Sequence, residues 1–209
     1  MDLLKQLLEA TLVTIKIFLV TGSLSIAIGL LISIAELNST KGTKRLIRGY
    51  VLLMRGTPLL LQLIVVYFGF PYIGIYLSRE VSVVFAFVLN YAAYFNEIFR
   101  GGFESIEAGQ FEAAKVLGLS KRKMYTKIII PQTIKRVLPS VSNEIITLVK
   151  DTSLVYVIGI GELLRSGKIA ANRDATIMPL LLVGLIYLVL IGIITKLLNR
   201  WEGMYEYYE

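Results

Sequence analysis

Apolar residues gather in five long blocks along the chain, at about residues 10–35, 46–70, 81–100, 133–160 and 177–198, with short polar stretches between them. Each block reaches about the 20 residues that cross a bilayer as a helix, which predicts five spans rather than a soluble core. Residues 1–9 read as an amphipathic lead-in. The first block is apolar apart from Lys16, expected to snorkel near an end, and carries Gly22, Ser23, Ser25, Ala27 and Gly29, small residues that favour close helix packing in lipid. The second is broken by Arg55-Gly56-Thr57-Pro58, where proline removes a donor and glycine loosens the helix, so carbonyls or amides near residues 54–58 are expected to be free. The third holds Asn90, Tyr91, Tyr94, Asn96 and Glu97, costly against lipid and therefore expected to face protein. Gly101-Gly102 is expected to bend the chain after it. The fourth block contains Glu144, Lys150 and Asp151; residues 71–80 and 161–176 read as connections, and 201–209 as an aromatic tail at the headgroup region.

Between the third and fourth blocks lies a polar, basic island, QFEAAKVLGLSKRKMYTKIIIPQ, at residues 110–132. Residues 111–117 favour helix, Gly118 can end that helix at positive φ, Ser120 can cap a second short helix, and Pro131 is expected to close the unit.

Composition turns this pattern into a class. Of 209 residues, 56% are hydrophobic and 18% charged, with a mean hydropathy of +0.70, which marks an integral membrane protein with space for about five or six spans and none for an attached ATPase. No small-residue cleavage site follows a short apolar core, so the N-terminus is expected to be mature sequence. The net charge of +7 would raise nucleic-acid binding in a soluble protein. Here the basic residues collect in loops, and no nucleic-acid partner is expected. If the N-terminus lies outside, the inner segments hold fourteen basic residues: Lys41, Lys44, Arg45 and Arg48, then Arg100, Lys115, Lys121, Arg122, Lys123, Lys127, Lys135 and Arg136, then Lys196 and Arg200. The outer ones hold six: Lys5, Lys16, Arg79, Arg165, Lys168 and Arg173. Five spans with the N-terminus out and the C-terminus in follow from the positive-inside rule. The absence of Cys and His removes thiolate or imidazole metal sites and a Ser-His-Asp triad. No GxxxxGK[ST] loop is present to bind nucleotide.

The island's spacing is informative. Glu112-Ala113-Ala114, three residues, Gly118, nine residues, Ile128, one residue and Ile130-Pro131 resembles the cytoplasmic loop of the membrane subunits of ABC importers, with Ile in place of the family's Leu before the proline. RGTPLLLQL at residues 55–63, the run at 90–118 and KDTSL at 150–154 resemble the polar amino-acid branch of that family. The resemblance implies an all-α, type I importer fold: a single transmembrane domain over residues 1–209, with a coupling helix in a cytoplasmic loop at about 104–131. Glu112, Ala113, Ala114 and Gly118 would then couple to an ABC ATPase subunit that binds ATP and Mg, none of which this chain holds. It also implies a second copy of the chain or a similar permease, an extracytoplasmic amino-acid-binding protein, and a place in the cytoplasmic membrane. The protein would be a transport subunit and not an enzyme.

Four acids sit where apolar residues would be cheaper: Glu97 and Glu104, and Glu144 and Asp151. Each pair is seven apart, which puts both members on one helix face, and the two faces are expected to line one cavity. Substrate contact and structural ion pairing are both open to them. Their surplus over Lys150 and Arg55 points to a cationic amino acid such as arginine, lysine or histidine, whose own carboxylate would meet Thr57 and the backbone amides at the Pro58 break. The alternative is a secondary carrier or small channel that uses intramembrane carboxylates without an ATPase.

Overall fold

The computed structural model describes residues 3–204, and among these there are helices and no strands. The first helix, α1 (Leu3–Asn38), has 36 residues and so is about 54 Å long, well beyond the roughly 30 Å of a bilayer's hydrocarbon core. The expected lead-in is therefore not separate: residues from Leu3 onward belong to the same helix, because nothing among them interrupts the backbone ladder.

After a short turn come α2 (Lys41–Gly56) and α3 (Leu59–Ile64), whose path continues through a π turn (Val65–Gly69) and a 3-10 turn (Phe70–Ile73). The chain bends by 100° between them. Pro58 lacks an N–H and forces Thr57 to extended backbone (φ −123°, ψ 146°), so the second apolar block is two helical pieces meeting at a corner. Then follows α4 (Arg79–Glu104), capped by the Ser78 hydroxyl, which accepts from the Val81 amide at 3.3 Å.

α4 is the central helix, packed against α1, α2, α3 and the later α7 (Ile130–Asp151). Its Phe87, Tyr91 and Phe95 are fully buried among Leu59, Leu63, Leu148 and Val155. Lipid supplies no hydrophobic drive between helices, so cohesion here comes from close contact and polar bonds. Gly22, Ser25 and Gly29 are buried on one face of α1, whereas Ser23 and Ala27 face outward. A Cβ on Gly29 would lie 2.6 Å from Phe95 Cβ and 2.9 Å from the Ala92 carbonyl, so only glycine permits this α1–α4 approach. The expected bend at Gly101-Gly102 is absent: both lie within α4, and Gly102 is there because a Cβ would collide with Val137 of α7.

The island forms α5 (Ala108–Val116) and α6 (Lys121–Met124). Pro131 does not close it. A π turn (Tyr125–Ile129) leads directly into α7, and Pro131 sits in the first turn of that continuous helical path. α7 continues as a 3-10 turn (Thr152–Ile158). The connection expected at 161–176 contains a further helix, α8 (Leu163–Arg173), because Glu162 caps it: its carboxylate accepts from the Leu164 and Arg165 amides at 2.8 and 2.6 Å and from the Tyr187 hydroxyl at 3.2 Å. Last is α9 (Met178–Met204), into which the start of the expected aromatic tail is absorbed; residues 205–209 of that tail lie outside the described residues.

Among the described residues three helices, α1, α4 and α9, are long and apolar enough to cross a membrane, and the bent α2–α3 pair makes a fourth if counted as one span. α1 and α9 turn Leu12, Leu19, Leu31, Leu181, Leu188 and Ile193 outward, as lipid-facing helices do. α7 carries Lys135, Arg136, Glu144, Lys150 and Asp151 and is strongly two-faced.

Candidate functional site

The corner between α2 and α3 frees backbone groups, and side chains claim the carbonyls. The Gln62 amide donates to the Met54 carbonyl at 2.9 Å, the Thr57 carbonyl at 3.2 Å and Thr57 Oγ1 at 2.7 Å. Asn90 of α4 donates to the same Met54 carbonyl at 2.8 Å and to Gln62 Oε1 at 3.0 Å. Thr57 Oγ1 in turn donates to the Leu53 carbonyl at 2.7 Å. The Thr57 hydroxyl proton is thus already used, and the corner is held rigid by two amide side chains. Gln62 went unremarked in the sequence, although it is the lone polar residue in LLLQLI one turn past the proline.

This corner forms one wall of a cavity of about 510 Å³, with α4 contributing Asn90, Tyr91 and Tyr94, and α7 contributing Glu144, Thr147 and Asp151. Volumes of this order accommodate small ligands. Glu144, Thr147 and Asp151 recur at three and four residues, so the heptad pair and the threonine between them share one face. Asp151 Oδ2 accepts from the Tyr91 hydroxyl at 2.8 Å, which fixes its orientation. Among the described residues neither Glu144 nor Asp151 has an ion-pair partner, not even the neighbouring Lys150.

Glu97 and Glu104 are placed differently. Arg100 grips Glu97 through two bonds, at 3.0 and 2.9 Å, and reaches Glu104 at 2.6 Å. Arg55 adds a contact to Glu97 at 3.2 Å and lies 5.2 Å above the Tyr94 ring. Glu97 lines a second cavity of about 530 Å³ with Arg48, Val51, Leu52, Arg55, Gly56 and Arg100, so the two acidic faces do not meet in one space. Arg55 and Gly56 border both cavities.

Two acids that sequence reading passed over are among the most buried. Glu36 of α1 accepts from Asn96 Nδ2 at 3.2 Å and Arg48 Nε at 3.3 Å, and Glu162 is the α8 cap. Both sit near block ends, where an acid reads as a solvated loop residue.

The island is a small unit with its own core. Gly118 has φ +67°, and the amides of Leu119 and Gly118 reach back to the Ala114 and Lys115 carbonyls at 3.0 Å each, a Schellman ending for α5. Ser120 then caps α6 by accepting from the Lys123 amide at 3.4 Å. Ala114 is buried with Ile106, Met124 and Ile129, while Glu112, Ala113 and Gly118 are exposed beside Val116 and Leu117, which are 88% and 73% exposed. Ala114 thus faces the unit's core, and the residues around it present the outer surface.

Comparison with known proteins shows the family and the fold. The chain is 37% identical to the arginine transport system permease protein ArtQ of Bacillus subtilis (strain 168), over 90% of this chain and 87% of that one. It is 34% identical to the putative glutamine transport system permease protein GlnP of Rickettsia conorii, over 90% and 88%. A solved amino acid ABC transporter, crystallised with histidines, superposes with a TM-score of 0.88 at 31% identity, covering 98% of this chain and 99% of that one. The model of the binding-protein-dependent transport system inner membrane components matches residues 25–201, and this multi-pass chain belongs to that family.

Proposed function

We propose that this chain is the membrane subunit of an ATP-driven importer of polar amino acids, with cationic ones favoured. As a single transmembrane domain it would cross the membrane five times, N-terminus out and C-terminus in, with α7 and its 3-10 extension as the fourth span. Glu112, Ala113, Ala114 and Gly118 would seat α5 and α6 on a separate ATPase subunit that holds ATP and Mg. A second copy or a similar permease chain completes the pathway, and an extracytoplasmic binding protein delivers the substrate. ATPase closure moves the coupling helices, and the paired subunits alternate between inward and outward opening. The names of the relatives, for arginine and for glutamine, support amino acids as the cargo. A carrier or channel without an ATPase is not favoured, since the family match spans the coupling loop.

The observation that carries the cationic preference is the unpaired state of Glu144 and Asp151. Two half-buried carboxylates face one cavity whose single lining cation, Arg55, is engaged elsewhere by Glu97. A carboxylate in a low-dielectric space either takes up a proton or finds a cation, and an ammonium or guanidinium supplies the cation through charge-assisted hydrogen bonds. Uptake by proteoliposomes holding this chain, its ATPase and its binding protein tests this. Arginine should enter in preference to glutamine and only with ATP inside the hydrolysing compartment; preference for glutamine would refute the cationic reading.

A further inference from the structure

We propose that Arg79 and Arg165, at the starts of α4 and α8, hold the phosphate of an anionic phospholipid headgroup whose chain enters an aromatic cavity beside them. The site is independent of the cargo assigned above. Gly159, at φ +85°, ends the 3-10 extension of α7, and a Cβ built on it would lie 3.6 Å from the Arg79 guanidinium carbon and 3.7 Å from Arg165 Nη1. Two like charges therefore converge on one turn. Arg165 donates to the Gly159 carbonyl and Arg79 Nε to the Tyr67 hydroxyl at 3.3 Å, and among the described residues neither arginine has an ion-pair partner. The acids that face them do not fill the need. Glu162 is buried and already takes two backbone amides and the Tyr187 hydroxyl, and Glu80 is exposed and in no ion pair. Lys168, three residues along α8 from Arg165, adds a third cation, its Nζ 4.3 Å over the Tyr156 ring. Converging cations repel one another, and an anion between them is favoured by both.

Tyr67 joins this pair to a cavity of about 520 Å³, which it lines with Phe68, Pro71, Tyr72, Tyr76 and Leu77. The lining carries phenol hydroxyls and no charge, so it suits an apolar chain that extends from the anion. Tyr72, Tyr76 and Ile73 are 92%, 80% and 71% exposed, an aromatic surface of the kind that sits at headgroup depth. Guanidinium forks match phosphate oxygens bidentately. A phospholipid offers both parts, the phosphate and the hydrocarbon, from within the membrane. Inorganic phosphate or a free amino acid would satisfy the arginines and leave the aromatic surface bare. Two unpaired guanidiniums favour phosphatidylglycerol, which has a net negative charge, over phosphatidylcholine, whose own cation would meet theirs.

Lipid retention by the permease–ATPase complex tests the site. The complex is moved from liposomes with equal phosphatidylglycerol and phosphatidylcholine into detergent, and the lipids that stay bound are counted by native mass spectrometry. Wild type should keep phosphatidylglycerol over phosphatidylcholine about ten-fold or more, as charge-assisted contacts predict, and no preference overturns the proposal. Arg79→Gln with Arg165→Gln should bring the ratio within about two-fold. Lys5→Gln with Arg173→Gln removes the same charge from the same side and should leave the ratio unchanged; equal falls in the two double variants would mark unspecific attraction and overturn the site. Where the glutamine pair does not assemble, Arg79→Lys with Arg165→Lys decides: an intermediate ratio supports the fork and an unchanged one refutes it. Millimolar glycerol phosphate, the headgroup without chains, should leave most of the phosphatidylglycerol bound, and full displacement would assign the arginines to a free anion. An unaltered ratio in the glutamine pair, with loss only of the ATP hydrolysis that the binding protein stimulates, would overturn the lipid and give the surface to that protein.

Discussion

Glu97 with Glu104 on α4 and Glu144 with Asp151 on α7 are the same device in sequence, two acids one heptad apart, on helices that pack against each other. In space they differ in the groups that neutralise them. Arg100 is three residues from Glu97 and four from Glu104 in the opposite sense along α4, so a single guanidinium neutralises both. No basic residue stands in that position between Glu144 and Asp151; Thr147 does, and Lys150 is turned to the exposed side. The first pair is a closed electrostatic unit, whereas among the described residues the second has no ion-pair partner. Heptad spacing aligns acids on a face, and what occupies the turn between them determines whether the face is structural or available.

The largest effect belongs to a change that should ignore the distinction altogether. Gly118→Val forces a branched side chain to φ +67°, and the misplaced coupling helices should abolish uptake of every amino acid alike while the purified chain remains inserted and folded; normal uptake would refute the coupling role of the turn. The direct comparison comes next. Glu144→Gln with Asp151→Asn should reduce arginine uptake about 100-fold, as expected when two charge-assisted contacts are lost, whereas Glu97→Gln with Glu104→Gln should leave it within about five-fold, the scale of a structural loss. Equal losses in the two double variants would break the comparison. Tyr91→Phe removes the bond that orients Asp151, and the half-saturating arginine concentration should rise about ten-fold, the worth of one hydrogen bond to a charged group. Arg100→Ala leaves Glu104 without its partner and Glu97 with Arg55 alone; a loss of about 1–3 kcal/mol should appear as a lower unfolding temperature with substrate preference unchanged. Smallest is Glu104→Gln, a half-exposed pair member, at about 0.2–1 kcal/mol by the same unfolding measurement.

Much of this was legible in the chain because it is local. Block length and hydropathy marked α1, α4, α9 and the bent α2–α3 pair as long apolar helices, the proline marked the corner, and positive φ at Gly118 and the cap at Ser120 follow from neighbours within a few residues. The resemblance carried by EAA, RGTP and KDTSL led to the family that the match over residues 25–201 shows. The misreadings were equally local in kind. Gly101-Gly102 looked like a bend because glycine permits one, but Gly102 answers to Val137 of another helix. Residues 161–176 looked like a loop because Glu162 reads as solvated, yet it is buried against Tyr187 of α9.

The sequence by itself therefore determined where long apolar helices lie, that the chain turns at Pro58 and Gly118, and that several acids lie in places where they need a reason, since these properties depend on the residue and its neighbours along the helix. Only the tertiary structure decided which acids are satisfied. Gln62 and Asn90 close the corner's carbonyls from 8 and 36 residues away, Tyr91 holds Asp151 across 60, and Arg55 stands between two cavities built from four helices. Hydrogen bonds and ion pairs act over a few ångströms, and separation along the chain sets no bound on which groups come that close.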